Sequence, residues 1–165
     1  MILGIDPGIG TTGYGLIGER RDGSLEPVAY GVILTPPNSP IPSRLQSIYR
    51  DVAALLAKYR PEGAAIEKLL FGKNVTTAMA VGQARGVTIL ALADGGLSVA
   101  EYTPATVKEA VAGYGNASKA QVQDMVRILL NLDAIPKPDD AADALAIAIT
   151  HIHASRYQQL YNQGE

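Results

Sequence analysis

The chain has 165 residues, 47% of them hydrophobic, which is enough to form one core in a single domain spanning residues 1–165. Its 14 basic and 16 acidic side chains give a net charge of -2, without the basic surplus typical of nucleic-acid-binding domains. The absence of cysteine excludes disulfides and Cys-type zinc sites. Neither a signal peptide nor an apolar run long enough to span a bilayer is present, so we expect a cytoplasmic protein without membrane association.

The first part of the chain predicts three β-strands and then a helix. The strands correspond to apolar runs at residues 2–5, 13–17 and 28–34. Asp22 and Gly23 indicate a hairpin turn between the second and third strands, which favours an antiparallel meander. Ser43 and Gln46 have the spacing of a capping box, and a stripe of helical period follows them until Pro61.

The remaining chain alternates helices with two further strands. The strands are predicted at residues 63–66 and 97–102. Helices are predicted over residues 75–93, from Thr103-Pro104 to the stop at Gly113, from a capping box of Ser118 and Gln121, and from Asp140 to about Tyr161. A loop covers residues 131–139, and residues 156–165 are expected to form a frayed helix end. The order βββαβαβααα indicates an α/β domain with a mixed sheet.

Two acidic residues directly follow apolar strands. Asp6 ends the first strand, and Glu67 has the same position after the strand at residues 63–66. In open α/β sheets, ligands bind beyond the carboxyl ends of the strands. Asp-Pro-Gly is also ordinary turn chemistry, and Glu67 alone is equally consistent with a solvated strand end. Neither acid therefore decides the function by itself.

Asp140 and Asp143 form a more informative pair. They lie three residues apart in a helix that is apolar on every side, so they share one face of a buried helix. The structural alternative is negative charge that favours the helix dipole, but Asp139 already serves as a candidate cap. A buried acid needs a partner, and few cationic side chains lie nearby in the sequence. The pattern therefore favours a metal as that partner.

The four acids suit a pair of hard divalent cations. Mg²⁺ prefers oxygen ligands and keeps several waters, so a few carboxylates are sufficient. In two-metal phosphoryl chemistry the ions lie roughly 3.5–4 Å apart, where one activates a water and the other stabilises the leaving oxygen. Asp6 on the predicted central strand is the expected bridging ligand, and the absence of nearby histidine argues against zinc. The residues thus predict phosphodiester hydrolysis with two Mg²⁺ per site, for which Mn²⁺ can substitute.

Several motifs occur in a specific order along nearly the whole chain. They are GIDPG with TGYG at the start, AIE and KN within 65–74, GQARG at 82–86, VK at 107–108, SKAQVQDMVRILL at 118–130 and DAADALAIAITH at 140–151. In this order they resemble the RuvC family of Holliday-junction resolvases. The resemblance implies a ribonuclease-H-like fold, a five-stranded mixed sheet flanked by helices, in which Asp6, Glu67, Asp140 and Asp143 are the catalytic acids.

The resemblance also implies how such a protein acts. It implies a homodimer that binds four-way junction DNA and makes paired symmetric nicks with 5′-phosphate and 3′-hydroxyl ends, in homologous recombination and DNA repair. RuvA and RuvB, the branch-migration proteins, are the implied partners. The helix over residues 75–93, rich in small residues, resembles the family's dimer-interface helix, although by sequence alone it is equally suited to packing inside the monomer.

Basic and aromatic residues are the candidate DNA contacts. Lys108 and Lys119 match family lysines near the scissile phosphate, where a cation stabilises developing charge; a solvated helix face is the alternative. The segment 68–85 carries three basic residues and no acid. The further predicted DNA-binding residues are Lys68, Leu70, Phe71, Lys73, Asn74 and Arg85. The family's base-stacking aromatic aligns with Leu70, whereas Phe71 follows one residue later and is equally suited to a core.

Three other functions remain open at this stage. The glycine-rich start resembles the phosphate loop of actin-like ATPases, but those proteins need two such domains and 165 residues supply one. A junction-binding scaffold without catalysis is expected to have lost at least one of the four acids. A related ribonuclease-H-like nuclease that acts on other branched or hybrid substrates is only weakened by the motifs. His151 and His153 are assigned no chemistry.

Overall fold

The computed structural model describes residues 1–68 and 75–162, with side chains described for all of these except 75–77. Its strands are β1 (Ile2–Asp6), β2 (Thr11–Glu19), β3 (Leu25–Leu34), β4 (Gly63–Glu67) and β5 (Val99–Tyr102). They form one five-stranded sheet in the order β3-β2-β1-β4-β5. Pairing is antiparallel from β3 to β1 and parallel from β1 to β5. The predicted mixed sheet, its meander and its central first strand are confirmed.

Helices cover both faces of this sheet. They are α1 (Ile41–Tyr59), α2 (Val75–Asp94), α3 (Pro104–Ala112), α4 (Lys119–Leu129) and α5 (Asp139–Asn162). One core cluster joins the sheet to α3, α4 and α5, and a second joins its other face to α1 and α2. Successive side chains of a strand point to opposite faces, so Ala64 belongs to one cluster and Ala65 to the other. Within the described residues, no helix is long and apolar enough to cross a membrane.

Helix α5 rests directly on the central strands. Its residues 141–142 and 144–150 are buried all round, as the apolar sequence predicted. The sheet makes room with glycine: a Cβ at Gly4 would lie 2.1 Å from the Ala144 carbonyl oxygen, and one at Gly13 would lie 1.9 Å from that of Asp140. Such distances leave no space for any side chain, so the helix backbone sits against the strand backbone. This close packing sets the height of the acidic end of α5 above the sheet.

The helix starts were predicted with mixed success. Ser118 and Gln121 form the predicted capping box of α4, in which the backbone N–H of Gln121 donates to Ser118 Oγ at 3.2 Å. Thr103 caps α3, and Gly113 ends it with a positive φ of 89°. The capping box predicted at Ser43 is wrong, because α1 already begins at Ile41 and has no side-chain cap. A proline in the first turn, which has a fixed φ and lacks an N–H, starts this helix instead.

Other boundaries differ by a few residues. Strands β2 and β3 are longer than the apolar runs at 13–17 and 28–34, because backbone pairing continues past the residues that face a core. Strand β5 begins at Val99, two residues later than predicted. Asp139 is the first residue of α5 and not its cap, and its carboxylate accepts a hydrogen bond from Lys137 Nζ at 2.7 Å.

Candidate active site

The fold brings acids from three elements to one edge of the sheet. Asp6 and Glu67 end the adjacent parallel strands β1 and β4, so both side chains leave the sheet at the same edge. The amino end of α5 places Asp143 above them. A cavity of about 260 Å³ opens there. Its lining includes Asp6, Glu67, Asp143, Lys108 and Lys119.

Asp6 is the most strongly perturbed acid of this cavity. Burial, together with repulsion from the carboxylates of Glu67, Asp143 and Asp140, raises its pKa from the ordinary 3.8 to about 7. Lys119 opposes it. Because the neighbouring charges that raise the pKa come from all three other acids, the four carboxylates share one electrostatic environment. The structure therefore brings the charges of the three other predicted acids to bear on Asp6, and Asp6, Glu67 and Asp143 line the cavity.

The pKa values of Glu67 and Asp143 are shifted in the same direction as that of Asp6. Burial raises the pKa of Glu67, and the Asp143 carboxylate adds to this effect, while Lys108 and Lys119 lower it. Burial also raises the pKa of Asp143, against a hydrogen bond from Lys119 that lowers it. When several carboxylates are desolvated together, their negative charge favours either protonation or the binding of a cation.

Lys119 supplies a cationic partner that the sequence did not reveal. Its Nζ donates to Asp143 Oδ2 at 2.9 Å and lies 3.7 Å from Asp139 Oδ2. Few cations lie near the acids of α5 along the chain, but the fold brings Lys119 to Asp143 in space. Lys119 belongs to α4, 24 residues before Asp143, and the packing of α4 against α5 joins them. In the described part of the chain, no ion pair of this kind involves Asp6 or Glu67.

The donor set fits a hard divalent cation. Asp6, Glu67 and Asp143 offer only carboxylate oxygens to the cavity, which are the ligands that Mg²⁺ prefers over nitrogen or sulfur. Within residues 1–68 and 75–162, no group of three or more acidic or histidine side chains is arranged to hold a metal ion. Asp143 Oδ2 accepts a hydrogen bond from Lys119 Nζ at 2.9 Å, so this lysine competes with a cation for that oxygen.

The raised pKa of Asp6 predicts how the metal-free protein responds to pH. The folded value of about 7 exceeds the ordinary value of 3.8, so the folded state holds the proton more tightly. Its contribution to stability is complete below pH 3.8 and is lost as the pH rises through 7. At pH 8 in EDTA, we expect the free energy of unfolding of Asp6→Asn to exceed that of wild type by about 1–4 kcal/mol, so the variant unfolds at higher urea. At pH 4 we expect no such difference. Urea titrations of both proteins across this range test it, and a difference independent of pH contradicts it.

The predicted DNA-binding residues occupy different positions. Lys68 follows β4 with an exposed side chain, beside a second cavity that also touches Asp6, Glu67 and Arg85. Arg85 of α2 is turned inward, and its contacts are to Glu67 and Glu101. Four of the residues predicted to contact DNA lie outside the described residues, namely Leu70, Phe71, Lys73 and Asn74.

Sequence reasoning missed the residues that hold the turn after Asp6. The Thr12 hydroxyl donates to the Gly8 carbonyl at 2.8 Å, closing this turn. Arg44 of α1 donates to the Ile9 carbonyl at 3.1 Å and to Thr35 Oγ1 at 2.9 Å. Arg44 and Ile9 lie 35 residues apart, and no local pattern marks their contact. Thr12, four residues after Gly8, is the kind of side chain that pairs with a nearby backbone group and was open to inference.

A comparison with known families decides between the candidate functions. The family model for "Crossover junction endodeoxyribonuclease RuvC" matches residues 2–151. The chain belongs to the RuvC family. It is 57% identical over 154 residues to the crossover junction endodeoxyribonuclease RuvC of Heliobacterium modesticaldum, which covers 93% of this chain and 94% of that protein.

Solved structures agree with this assignment. The fold is similar to that of T. thermophilus RuvC in complex with a Holliday junction substrate, with a TM-score of 0.90 and 37% identity over 95% of each chain. The yeast mitochondrial Holliday junction resolvase has a TM-score of 0.68 at 15% identity, covering 99% of this chain and 86% of that one, and shows the fold alone. The predicted ribonuclease-H-like fold and the predicted crossover junction endodeoxyribonuclease are confirmed, and RuvC nucleases are metal-dependent.

Proposed function

We propose that the chain resolves four-way DNA junctions by paired symmetric nicks, leaving 5′-phosphate and 3′-hydroxyl ends, in homologous recombination and DNA repair. The observation that carries this proposal is the convergence of Asp6, Glu67 and Asp143 on one open cavity beside two lysines. Acids that gather cations, next to fixed positive side chains, suit a phosphodiester. The similar T. thermophilus protein was solved with a Holliday junction substrate, which supports a junction as the DNA.

Asp6, Glu67, Asp140 and Asp143 are the proposed ligands of two Mg²⁺ per site, for which Mn²⁺ can substitute. When bound, such ions activate a water and stabilise the leaving oxygen. Asp6 is the proposed shared ligand, because it ends the central strand and the charges of all three other acids act on it. Burial holds the carboxylates of Asp6 and Glu67 away from bulk water, which strengthens their attraction for a cation.

Lys108 and Lys119 are the proposed phosphate-holding residues. They reach the cavity from α3 and α4. The hydrogen bond to Asp143 raises the pKa of Lys119, so this side chain stays charged at neutral pH. A fixed ammonium at this position stabilises the negative charge that develops on a reacting phosphate. The same role near the scissile phosphate is what the family resemblance implies for both lysines.

The further proposed DNA contacts are Lys68, Leu70, Phe71, Lys73 and Asn74. Lys68 is exposed at the end of β4, where a charged side chain can track a phosphate backbone. Arg85 was predicted to join this set, and it differs in that its described contacts lie within the protein.

A homodimer formed through α2 is also proposed. On this helix Met79 and Leu90 are 63% and 53% exposed, which leaves apolar area for a second copy. A Cβ at Gly86 would meet nothing within 4 Å, so the backbone of α2 is open to close approach there. We further propose that residues 1–165 act as a single nuclease domain in the cytoplasm, with RuvA and RuvB as partners.

Cleavage mapping on a mobile four-way junction tests the proposed function. Linear duplex, single-stranded DNA and an RNA–DNA hybrid of the same sequence serve as controls. We expect nicks only on the junction, placed symmetrically on two strands of like polarity, with ends that a ligase can seal. Cutting of the hybrid or the linear duplex at a comparable rate indicates a different ribonuclease-H-like nuclease. Single nicks without a symmetric partner contradict the paired sites of a dimer.

Removal of divalent metal is expected to abolish nicking completely. EDTA takes away the cations that keep the clustered carboxylates charged, and added Mg²⁺ or Mn²⁺ restores activity because both accept oxygen ligands. The same addition should raise the melting temperature at pH 8, since a cation that binds only the folded state stabilises it. Calorimetry and a gel assay of nicked junctions measure the two effects. Cutting that persists in EDTA contradicts the metal mechanism.

A further inference from the structure

Arg85 links the elements α2, β4 and β5 at the edge of the sheet where the acids lie. It lies on α2, and only 18% of its side chain is exposed. Its Nε donates to the backbone carbonyl of Glu67 at 3.2 Å, and its Nη2 forms an ion pair with Glu101 of β5. Glu101 is the register partner of Ile66, the residue before Glu67. One guanidinium therefore joins α2, β4 and β5 beside the cavity.

These contacts fix the peptide unit that follows Glu67. Its carbonyl oxygen accepts from Arg85, and the N–H of the same unit, which belongs to Lys68, donates to the Tyr102 carbonyl at 2.7 Å. A peptide unit is planar, so holding it at both oxygen and nitrogen fixes its orientation. The orientation of this plane sets the backbone angle on the carboxyl side of Glu67. The direction in which the Glu67 carboxylate enters the cavity therefore depends on Arg85.

We propose that Arg85 is a positioning residue that holds Glu67 ready to bind metal, and that it is not a DNA contact. The inference rests on the proposed function, because Glu67 is a metal ligand only under that proposal. Arginine suits this position better than lysine, since its planar fork serves a carbonyl and a carboxylate at once. Residues that orient metal ligands typically contribute about 10–100-fold to metal affinity or activity.

Metal binding without DNA separates this role from a DNA contact. We expect Arg85→Met to raise the Mn²⁺ concentration for half-saturation by about 10-fold or more, measured by the paramagnetic resonance signal of free Mn²⁺. Single-turnover nicking should show the same shift in its Mn²⁺ dependence. Junction binding in EDTA should change by less than about 2-fold, because a phosphate contact is not being removed. Arg85→Lys should restore only part of the metal affinity.

Glu101→Gln and Arg156→Met complete the design. Glu101→Gln removes the ion pair but leaves the contact of Arg85 with the Glu67 carbonyl, so we expect a smaller loss of Mn²⁺ affinity. The variant that combines Arg85→Met with Glu101→Gln should lose no more Mn²⁺ affinity than Arg85→Met alone. Arg156 is the matched control, because it likewise pairs with a carboxylate, that of Glu19, and donates to a backbone carbonyl, that of Gly23. It lies away from the acids, so Arg156→Met should leave Mn²⁺ affinity unchanged even if it lowers the melting temperature.

Two results overturn the inference. If Arg85→Met weakens junction binding by 10-fold or so and leaves Mn²⁺ affinity intact, Arg85 contacts DNA. If Arg85→Met and Arg156→Met change Mn²⁺ affinity equally, the contacts of Arg85 serve stability alone. Failure of the proposed function is distinguishable from both, because the wild-type protein then fails to nick the junction whatever Arg85 does to metal binding.

Discussion

Asp6→Asn is expected to reduce nicking of a four-way junction by about 10³-fold or more, a loss of about 4 kcal/mol in transition-state stabilisation. Asparagine keeps the shape of the side chain at the end of β1 but removes the charge and one of the two ligating oxygens. Asp6 is the proposed shared ligand, and the charges of Glu67, Asp143 and Asp140 all act on it, so we expect that no neighbour replaces it. Junction binding should survive, because the negative charge of Asp6 does not attract phosphate.

Single-turnover nicking and an electrophoretic binding assay check this result together. Asp22→Asn is the matched control, since Asp22 lies in the exposed turn after β2, where its carboxylate accepts from the Ser24 N–H at 2.9 Å. The control should nick at the wild-type rate. Parallel loss of binding and nicking in Asp6→Asn would indicate a structural role for Asp6, and retained nicking would remove it from the catalytic centre.

The acids could be predicted because each one stands at a place that the local sequence defines. Asp6 and Glu67 each end a short apolar run, and an apolar run alone predicts a buried strand. Asp140 and Asp143 share a helix face by spacing alone. Parallel strands direct their carboxyl ends to one edge, so convergence followed from the topology. These inferences needed periodicity but no distances.

The contacts between elements could not be predicted in this way. Lys119 reaches Asp143 across 24 residues and Arg85 reaches Glu67 across 18, and both contacts depend on how two elements pack. Helical periodicity gives the face on which a lysine lies but not the element that this face meets. The prediction of the α1 cap was wrong for a different reason. Ser43 and Gln46 have the spacing of a capping box, but a proline in the first turn starts the helix earlier.

The glycines of β2 show the same limit for packing. Gly13 and Gly15 belong to the TGYG motif, and a glycine inside a strand by itself indicates only a weakened strand. In the structure, Gly13 lies beneath the first turn of α5, and Gly15 lies beneath Leu145. The absence of side chains there brings the helix close enough for Asp143 to reach the cavity with Asp6. The close packing of α5 on β2, between residues far apart in the sequence, therefore depends on the missing side chains of these glycines.

Gly13→Ala is expected to displace the acidic end of α5. The new Cβ would lie 1.9 Å from the Asp140 carbonyl oxygen and 2.5 Å from its carbonyl carbon, so the helix must move away by roughly 1–2 Å to restore contact distance. We expect a loss of about 1–3 kcal/mol in the free energy of unfolding. Nicking by the folded protein should fall by about 10²-fold, as expected for catalytic groups misplaced by about 1 Å.

Gly18→Ala separates this effect from the general cost of replacing a strand glycine. Gly18 lies on the same strand, but its Cβ would meet the nearest atom, Val28 Cγ2, at an ordinary 3.6 Å. We expect this variant to nick at the wild-type rate and to unfold within about 0.5 kcal/mol of wild type, in urea titrations paired with single-turnover assays. The obstacle at Gly13 is a main-chain carbonyl, which cannot rotate aside as a flexible side chain does. Equal behaviour of the two variants would therefore mean that the position of α5 does not control the acids.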